Sequence, residues 1–325
     1  MTQFLNTMML VLALCFGTAS QPPAAYTWTN ITNAAGYPQG YNYPVYVFGD
    51  KLLALNNGAW VSTDAKNWKK TGLPESGLNS AYQKFVHFNG AVYSLGKLDG
   101  NYERFSIDTK ILRTTDLEEW ETVAEISNLP QRIFYGLTVF KGKMWMLGGF
   151  DGKNYHNDAW TSADGVKWEQ AAKTADWSPR NIGSVTVFRD KLWIIGGGEI
   201  DGDKVSNPNS RNEIWSSADG IKWTKEASKI LKSGDYVGGT VGVYDDKLWI
   251  IGANRNNVFQ SGVLYSEDGR RWTELTAPWS ARGAVAVWVF DGKLYMTGGK
   301  SSHTENGEIK FVYSNDVWAM ERKSE

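Results

Sequence analysis

The sequence has little of three things that carry chemistry or charge: it has one cysteine, three histidines and no excess of either charge sign. Its 34 basic and 35 acidic residues give a net charge of −1, so no long-range field attracts nucleic acid, and we expect no nucleic-acid partner. The histidines show no metal-ligand spacing, so we expect no metal and no cofactor. What is present, 42% hydrophobic and 14% aromatic residues with 34 Gly and 16 Trp, is typical of a well-cored globular protein.

The sequence also has no hydrophobic run long enough to cross a bilayer comfortably, so we expect no transmembrane span. The apolar stretch at residues 4–16 is followed by small residues at 17–20, which is the pattern of a secretory signal peptide. We therefore expect residues 1–20 to be a signal peptide and the protein to be exported, to the periplasm or outside the cell. Cys15 lies in this leader, so the mature chain has no disulfide. Lipid anchoring at Cys15 is the second choice, because Leu14 is bulky for such a processing site.

One short segment recurs six times: an aromatic residue ends a strand, a polar turn follows, and a new strand begins. The copies are FGDKLLAL from Phe48, FNGAVYSL from Phe88, FKGKMWML from Phe140, FRDKLWII from Phe188, YDDKLWII from Tyr244 and FDGKLYMT from Phe290. They are 40, 52, 48, 56 and 46 residues apart, the length of a four-stranded propeller blade. The repeat predicts an all-β fold with six blades.

A second segment follows in five units and places Asp four residues before Trp. The copies are WVSTDAKNW, LRTTDLEEW, WTSADGVKW, WSSADGIKW and LYSEDGRRW, which end at Trp68, Trp120, Trp168, Trp223 and Trp272. They predict the hairpin between the third and fourth strands of a blade. The sixth unit ends after its Trp318 strand, and residues 26–32 resemble the missing fourth strand. We therefore expect the terminal strands to pair and close one domain, residues 21–325, with its repeats at 26–320.

Two further motifs carry a family resemblance. Small-residue pairs follow the second strand at Gly148-Gly149, Gly196-Gly197, Gly252-Ala253 and Gly298-Gly299, and Asn-Asp/Glu-x-Trp recurs at 157–160, 212–215 and 315–318. On these motifs the chain resembles the kelch propellers, which implies a six-bladed kelch-type β-propeller with four antiparallel strands in each blade. Blades 1 and 2 depart from the pattern, with Asn56-Asn57 and Leu95-Gly96 in place of the glycine pair.

Two enzyme classes that use propellers fit the residues poorly. Galactose oxidase is a kelch enzyme whose copper site needs a cysteine and converging histidines, which the mature chain lacks. The turn Ser-x-Asp-Gly-x-x-Trp is one residue shorter than the Asp-box of sialidases, so we interpret it as a structural turn. The repeated Trp, Gly and Asp residues are explained by packing between blades and by tight turns.

The connections divide into two classes, which define the two faces of the propeller. The first-to-second and third-to-fourth connections are short and uniform, and they form the short-turn face. The second-to-third and blade-to-blade connections form the long-loop face, and several are long: 97–110, 149–157, 197–212 and 299–315. Because binding residues tend to lie in loops on a rigid scaffold, we expect function on the long-loop face, with an open side at blade 1.

Arginine recurs on the long-loop face, since Arg132, Arg180 and Arg282 each lie eight residues before the strand-ending aromatic residue. Trp177 and Trp279 precede Arg180 and Arg282 by three residues. Such pairs suit a sugar or a carboxylate, because Trp offers an apolar platform and Arg two parallel donors. The alternatives are that the arginines bond loop carbonyls and that the Trp side chains cover the seams between blades. Tyr155 and His156 in loop 149–157 complete the predicted ligand-binding set.

One enzyme of this fold gives a more specific alternative. The chain is similar to the sialic-acid mutarotases (N-acetylneuraminate epimerases), in which a Glu follows the second strand of one blade and an Arg precedes the third. Glu199 and Arg211 match those positions, which implies proton transfer by Glu199 and a grip on the sugar carboxylate by Arg211. Eleven residues separate them here, so a surface ion pair is the alternative.

The sequence therefore predicts an exported kelch-type propeller that binds a carbohydrate or a protein through its long-loop face without catalysis. The second hypothesis is a mutarotase-like carbohydrate enzyme that uses Glu199 and Arg211. We expect a monomer.

Overall fold

Strands form where the repeats alternate β-branched and aromatic residues. The structure is a computed structural model that describes residues 25–71, 83–100, 105–108, 110–125, 127–198, 211–233, 237–255 and 258–323. The predicted leader and Glu199 lie outside these residues. Within them there is no helix, and so none that could cross a membrane.

Six four-stranded antiparallel sheets form the blades, and the first strands of neighbouring blades contact one another around the ring. The described chain begins with β1 (Tyr26–Thr32). Blade 1 contains β2 (Val45–Phe48), β3 (Lys51–Leu55), β4 (Ala59–Ser62) and β5 (Lys69–Lys70). Blade 2 contains β6 (Lys84–Phe88), β7 (Ala91–Leu95), β10 (Ile111–Thr114) and β11 (Glu121–Ala124), with β8 (Lys97–Gly100) and β9 (Phe105–Asp108) in a side hairpin. Blade 3 contains β12 (Gly136–Phe140), β13 (Lys143–Phe150), β14 (Tyr155–Ser162) and β15 (Glu169–Ala172).

The other three blades repeat this order. Blade 4 contains β16 (Ser184–Phe188), β17 (Lys191–Ile195), β18 (Ile214–Ser217) and β19 (Thr224–Ala227). Blade 5 contains β20 (Val237–Tyr244), β21 (Lys247–Arg255), β23 (Val263–Ser266) and β24 (Thr273–Leu275), with β22 (Val258–Phe259) paired to β21. Blade 6 contains β25 (Ala286–Phe290), β26 (Lys293–Thr297) and β29 (Val317–Arg322), and its side hairpin contains β27 (Lys300–Glu305) and β28 (Glu308–Tyr313). The six-bladed fold predicted from the repeats is confirmed.

The ring closes as the sequence predicts, because β1 is the fourth strand of blade 6. It pairs antiparallel with β29, with Tyr26 opposite Arg322 and Trp28 opposite Met320. Closure leaves no blade with a missing strand and removes the sheet edges that an open array would expose. Since Tyr26 pairs with Arg322, the last residue of β29, β1 begins at the short-turn face.

The core is divided into six apolar clusters, one in each seam between neighbouring blades. The repeated tryptophans lie in these seams: Trp168 packs between blades 2 and 3, and Trp223 between blades 3 and 4. Trp249 is fully buried between blades 5 and 6, with its ring centroid 4.9 Å from that of Tyr26 in an edge-to-face contact. The structural interpretation of the repeated Trp is therefore confirmed for these positions.

The short-turn face contains both tightly packed and open glycines. Gly220, in the last turn of blade 4, has φ +77°, and a Cβ atom there would lie 2.3 Å from the Trp145 ring of blade 3. Gly90, in the first turn of blade 2, has a similar φ of +74° but no atom within 4 Å of that position. Gly220 is therefore required by both backbone conformation and packing, whereas Gly90 is required by conformation alone.

Two connections that we treated as loops contain paired strands. In connection 97–110, β8 pairs with β9. In connection 299–315, β27 and β28 pair without a break from Lys300 opposite Tyr313 to Glu305 opposite Glu308. Asn306 and Gly307 form the turn with φ values of 52° and 81°, as a two-residue type I′ hairpin requires. The long-loop face is therefore more regular than expected from the lengths of its connections.

Candidate functional site

The Asp turns of the short-turn face use their carboxylates internally. Oδ1 of Asp64 accepts hydrogen bonds from the backbone N–H groups of Lys66 and Asn67, at 2.9 and 2.7 Å. The same pair of contacts is made by Asp116, Asp164, Asp219 and Asp268. Burial alone would raise the pKa of Asp64, but its hydrogen bonds lower it to about 2. These carboxylates therefore stabilise turns, which supports the structural interpretation of the motif.

On the long-loop face, Arg132 and Arg282 bind carboxylates of their own blades. Arg132 is buried; its Nη1 contacts Oδ1 of Asp158, and its Nη2 donates to Oδ2 of Asp158 at 2.8 Å. Arg282 makes the same pair with Asp316, with Nη1 to Oδ1 at 2.5 Å and Nη2 to Oδ2 at 3.2 Å. Each pair joins the segment that enters a blade to the start of that blade's third strand.

The same carboxylates explain the Asn-Asp-x-Trp motif. The indole Nε1 of Trp160 donates to Oδ2 of Asp158 at 2.8 Å, and Asn157 Nδ2 donates to the carbonyl oxygens of Ala175 and Trp177 at 3.1 and 3.0 Å. Burial alone would raise the pKa of Asp158, but the hydrogen bonds from Arg132 and Trp160 hold it below its ordinary value. The motif therefore fastens adjacent connections of the long-loop face to each other.

Arg180 is buried and forms a third pair, with the partly exposed Glu213. Its Nη2 donates to Oε2 of Glu213 and to Oγ of Ser178, both at 2.7 Å. Burial alone would raise the pKa of Glu213, but hydrogen bonds from Lys225, Arg180 and Trp215 lower it to about 2. Nη1 of Arg180 is buried and has no hydrogen-bond partner among the residues that the structure describes.

Trp177 and Trp279 cover seams between blades. Trp177 is fully buried and meets the ring of Trp223 with centroids 6.1 Å apart. Trp279 is 4% exposed and meets Trp28 edge-to-face at 4.5 Å. Each of the three arginines also donates to a loop carbonyl, Arg132 to Gly148, Arg180 to Ser178 and Arg282 to Ser280. The contacts therefore favour the structural alternatives for these arginines and for both tryptophans, and the ligand-binding role of all five residues stays a prediction.

Tyr155 and His156 are the first two residues of β14, beside the turn from β13, and both are partly exposed. Nε2 of His156 is 2.7 Å from Oδ2 of Asp151, and the Tyr155 ring packs against Phe150 with centroids 4.8 Å apart. Burial alone would raise the pKa of Asp151, but backbone hydrogen bonds and the contact with His156 lower it to about 2. Both predicted residues are partly exposed on the long-loop face, and their ligand-binding role stays a prediction.

Of the predicted catalytic pair, the structure describes Arg211 but not Glu199. Arg211 is partly exposed, and its backbone N–H donates to the carbonyl oxygen of Gly197 at 2.9 Å. Its charge acts with burial to lower the pKa of Arg180, against the opposing effect of Glu213. Glu199 lies outside the described residues, so its pairing with Arg211 stays a prediction.

An accessible aromatic and cationic cluster at blade 6 was missed by the sequence analysis. We call Tyr41, Lys300, Phe311 and Tyr313 the Tyr–Lys platform. The rings of Tyr41 and Tyr313 stack with centroids 5.4 Å apart and an interplanar angle of 17°. Nζ of Lys300 lies 4.7 Å from the Tyr41 centroid and 5.2 Å from that of Phe311. The three aromatic residues are 38–50% exposed, so the platform faces solvent.

Exposed large hydrophobic residues are concentrated on this face. Among the described residues they are Tyr41, Val258, Ile309, Phe311, Val312 and Tyr313 on the long-loop face, and Ile221 and Val289 at the short-turn side. Four of the six lie in β28, and all six β28 residues are exposed. Contiguous exposed apolar surface of this kind marks interaction sites more often than isolated residues do.

A concave feature lies on the opposite, short-turn face. A groove of about 520 Å³ between blades 1 and 2 is lined by Lys51, Lys69, Lys70, Asp116 and Glu118, among others. It opens beside β5, which has only two residues, and Asp116 is already bonded within its own turn. We place the candidate site at the Tyr–Lys platform because the groove's carboxylates and lysines are ordinary surface charges of the short-turn face.

Comparison with known proteins agrees with the β-propeller fold. The model of the DUF6242 beta propeller domain matches residues 75–197. The human Kelch repeat and BTB domain-containing protein 13 is 33% identical over 91 residues, which are 27% of this chain and 20% of that protein. The protein is a six-bladed β-propeller with kelch-like repeats. Because the chain spans about one-fifth of that relative's length, the relative's own activity is no guide here.

One solved structure is similar to almost the whole of this six-bladed fold. The structure of YjhT superposes with a TM-score of 0.66 and covers 87% of this chain and 99% of that chain. The identity is 14%, so the likeness is one of fold alone. Ligand and chemistry must therefore be argued from the residues of the long-loop face.

Proposed function

We propose that this kelch-type propeller is an exported, non-catalytic module that binds a carbohydrate through its long-loop face. The observation that carries the proposal is the Tyr–Lys platform, in which stacked tyrosines, a phenylalanine and an ammonium group face solvent together. The apolar C–H face of a pyranose packs on such rings, and the ammonium group attracts sugar oxygens or a sugar carboxylate.

The surroundings of the platform support a polar ligand. Ser302 lies opposite Phe311 and Thr304 opposite Ile309 in the hairpin, so their side chains are on the same sheet face as Phe311 and Tyr313. Hydroxyl groups beside aromatic rings match the alternating polar and apolar faces of a sugar. A protein ligand on the same face is the alternative.

Export is the part of the proposal that rests on the leader pattern at residues 1–20. Expression of the full sequence in a bacterial host, with intact mass measured on the secreted or periplasmic fraction, tests this. Recovery of the complete chain in the cytoplasm would contradict it.

Ligand-observed NMR with a panel of neutral and acidic mono- and oligosaccharides tests the binding proposal. We expect line broadening or saturation transfer for at least one saccharide, and its loss in the double variant Tyr41→Ala, Lys300→Ala. A panel with no signal, including sialic acid, would overturn the carbohydrate proposal. A signal that survives the double variant would overturn the assignment to the platform.

A mutarotase-like enzyme is the second candidate, favoured by the place of Arg211 on the long-loop face next to the glycine-rich end of blade 4. In this hypothesis Glu199 moves the proton for ring opening, and Arg211 holds the sugar carboxylate. Following the anomeric NMR signals of freshly released sialic acid tests it. Faster equilibration with the protein than with the variant Arg211→Ala would support the enzyme, and unchanged equilibration would remove it.

A further inference from the structure

The side hairpin of blade 6 has an outer edge whose free polar groups can be identified residue by residue. Lys300 exchanges two backbone hydrogen bonds with Gly283, both of 2.9 Å, so its N–H and C=O point away from β28. In an antiparallel pair this orientation alternates along both strands, and directly opposite residues share it. Because Lys300 lies opposite Tyr313, the residues of β28 with outward N–H and C=O groups are Tyr313, Phe311 and Ile309.

Nothing in the described chain pairs with these groups. At the end of the strand, the N–H of Gly40 donates to the carbonyl oxygen of Ser314 at 3.1 Å. From Tyr313 to the turn at Asn306, the outward N–H and C=O groups of β28 make no backbone hydrogen bond within the described residues. The strand contains no proline and no bulge, which are common devices against edge pairing. Its sequence EIKFVY is rich in β-branched and aromatic residues, so it is a good strand with a free edge.

The apolar side chains of the β27–β28 hairpin are only partly covered by the rest of the protein. Ile309 is 65% exposed, Phe311 50% and Val312 47%, so apolar side chains on both of its faces meet solvent. A two-stranded hairpin in water is marginally stable, and three or more strands are normally needed. The net charge of −1 provides little repulsion between copies of the chain.

We propose that β28 pairs antiparallel with β28 of a second copy, which joins the two hairpins into one four-stranded sheet about a two-fold axis. The register follows from the free edge. With Phe311 opposite the second copy's Phe311, each Ile309 faces a Tyr313 and each Lys310 faces a Val312, so all outward groups are paired. A shift of one residue sets the outward groups of one strand against the inward groups of the other, and a shift of two residues places Lys310 opposite Lys310, which like charge disfavours.

This dimer goes beyond the proposed function and does not depend on it. Pairing uses the edge of β28, whereas the ligand platform uses the sheet face that carries Lys300, Phe311 and Tyr313. The two copies would therefore present their platforms side by side. The sequence analysis led us to expect a monomer, but that expectation did not take the free edge of β28 into account.

Sedimentation velocity of the chain from residue 21, across a hundredfold range of micromolar concentration, tests the proposal. We expect a dimer that dissociates on dilution, and its loss in Phe311→Pro. Proline at 311 removes an outward N–H and leaves the hydrogen bonds inside the hairpin intact. The control is Ile221→Ala, which changes an exposed apolar residue on the short-turn face and should dimerise as the wild type does. Proline is not used at this position because it would remove the turn hydrogen bond from the Ile221 N–H to Asp219.

Two cysteine variants fix the register in a chain that otherwise has no cysteine once residues 1–20 are absent. Oxidised Phe311→Cys should form a covalent dimer, because paired Cα atoms about 5.5 Å apart are within disulfide range. Lys310→Cys should stay uncrosslinked at the same concentration. A monomeric wild type, or a Phe311→Pro variant as dimeric as the wild type, would overturn the proposal. Saccharide signals from the wild type, diluted until it is monomeric, would show that the binding proposal stands without the dimer.

Discussion

The two faces of the propeller are made by the same strands but use their polar residues in different ways. On the short-turn face, each Asp of the repeated turns bonds to the backbone of its own turn within three residues. On the long-loop face, buried pairs such as Arg132 with Asp158 join segments 26 residues apart, and exposed aromatic residues such as Phe311 and Tyr313 lie on the same face. This face therefore combines long-range pairs that hold its connections together with an accessible surface, which is the arrangement a binding face needs.

The largest effect is expected where the buried pairs are broken. Arg132→Ala leaves the Asp158 carboxylate buried without its partner and should lower the free energy of unfolding by about 3–5 kcal/mol. Arg189 also makes two hydrogen bonds to a carboxylate, that of Asp246, but at the exposed short-turn face. Arg189→Ala should therefore lower the free energy of unfolding far less than Arg132→Ala does, because solvent screens an exposed ion pair. Urea unfolding of both variants measures the difference, and equal losses would contradict the distinction.

A somewhat smaller effect is expected at the tightly packed turn. Gly220→Ala combines an unfavourable φ with a clash against Trp145 and should cost about 3 kcal/mol. Gly90→Ala has the same φ problem with open space around it, so it should cost about 1–2 kcal/mol. Thermal or urea unfolding of the two variants tests whether packing or backbone conformation sets the requirement for glycine. A Gly90→Ala variant less stable than Gly220→Ala would refute the packing argument.

These two comparisons show which features a sequence can reveal. The six blades and their closure follow from repeats in which each turn residue and each Trp has a local structural reason, so they could be predicted. The arginine positions could be predicted as well, but their partners could not, because Asp158 is reached only after the blade has folded. Tyr41 and Tyr313 are 272 positions apart and meet only when the ring closes, so no local sequence pattern predicts the platform. The Asn306-Gly307 turn was a usable hairpin signal within the connection that we treated as a loop.

Acid should lower the stability of the fold by protonating Glu213, which pairs with Arg180 on the long-loop face. Its folded pKa of about 2 lies below its ordinary value, so its ionised form stabilises the fold above about pH 4.5. That contribution is lost as the pH falls towards 2. In Glu213→Gln, stability should therefore fall less steeply than in the wild type between these pH values. Urea midpoints measured at several pH values test this, and parallel curves for the two proteins would argue against the ionised pair.

The smallest effect on stability is expected at the Tyr–Lys platform. Tyr41→Ala and Lys300→Ala change side chains that face solvent outside the seam clusters, so unfolding free energies should shift by less than about 0.5 kcal/mol. Unfolding curves that match the wild type would confirm that the platform is not required for folding. A loss of 2 kcal/mol or more would mean that the platform is part of the structural base instead.

The most direct test of the assignment of function to the long-loop face is the dissociation constant of the tightest-binding saccharide from the NMR panel. It should be measured for the wild type, Lys300→Ala, Tyr41→Ala and the short-turn variant Ile221→Ala. We predict at least about tenfold weaker binding for the two platform variants, equivalent to about 1.4 kcal/mol, and no change for Ile221→Ala. Unchanged binding in both platform variants, or weakened binding in Ile221→Ala alone, would contradict the account.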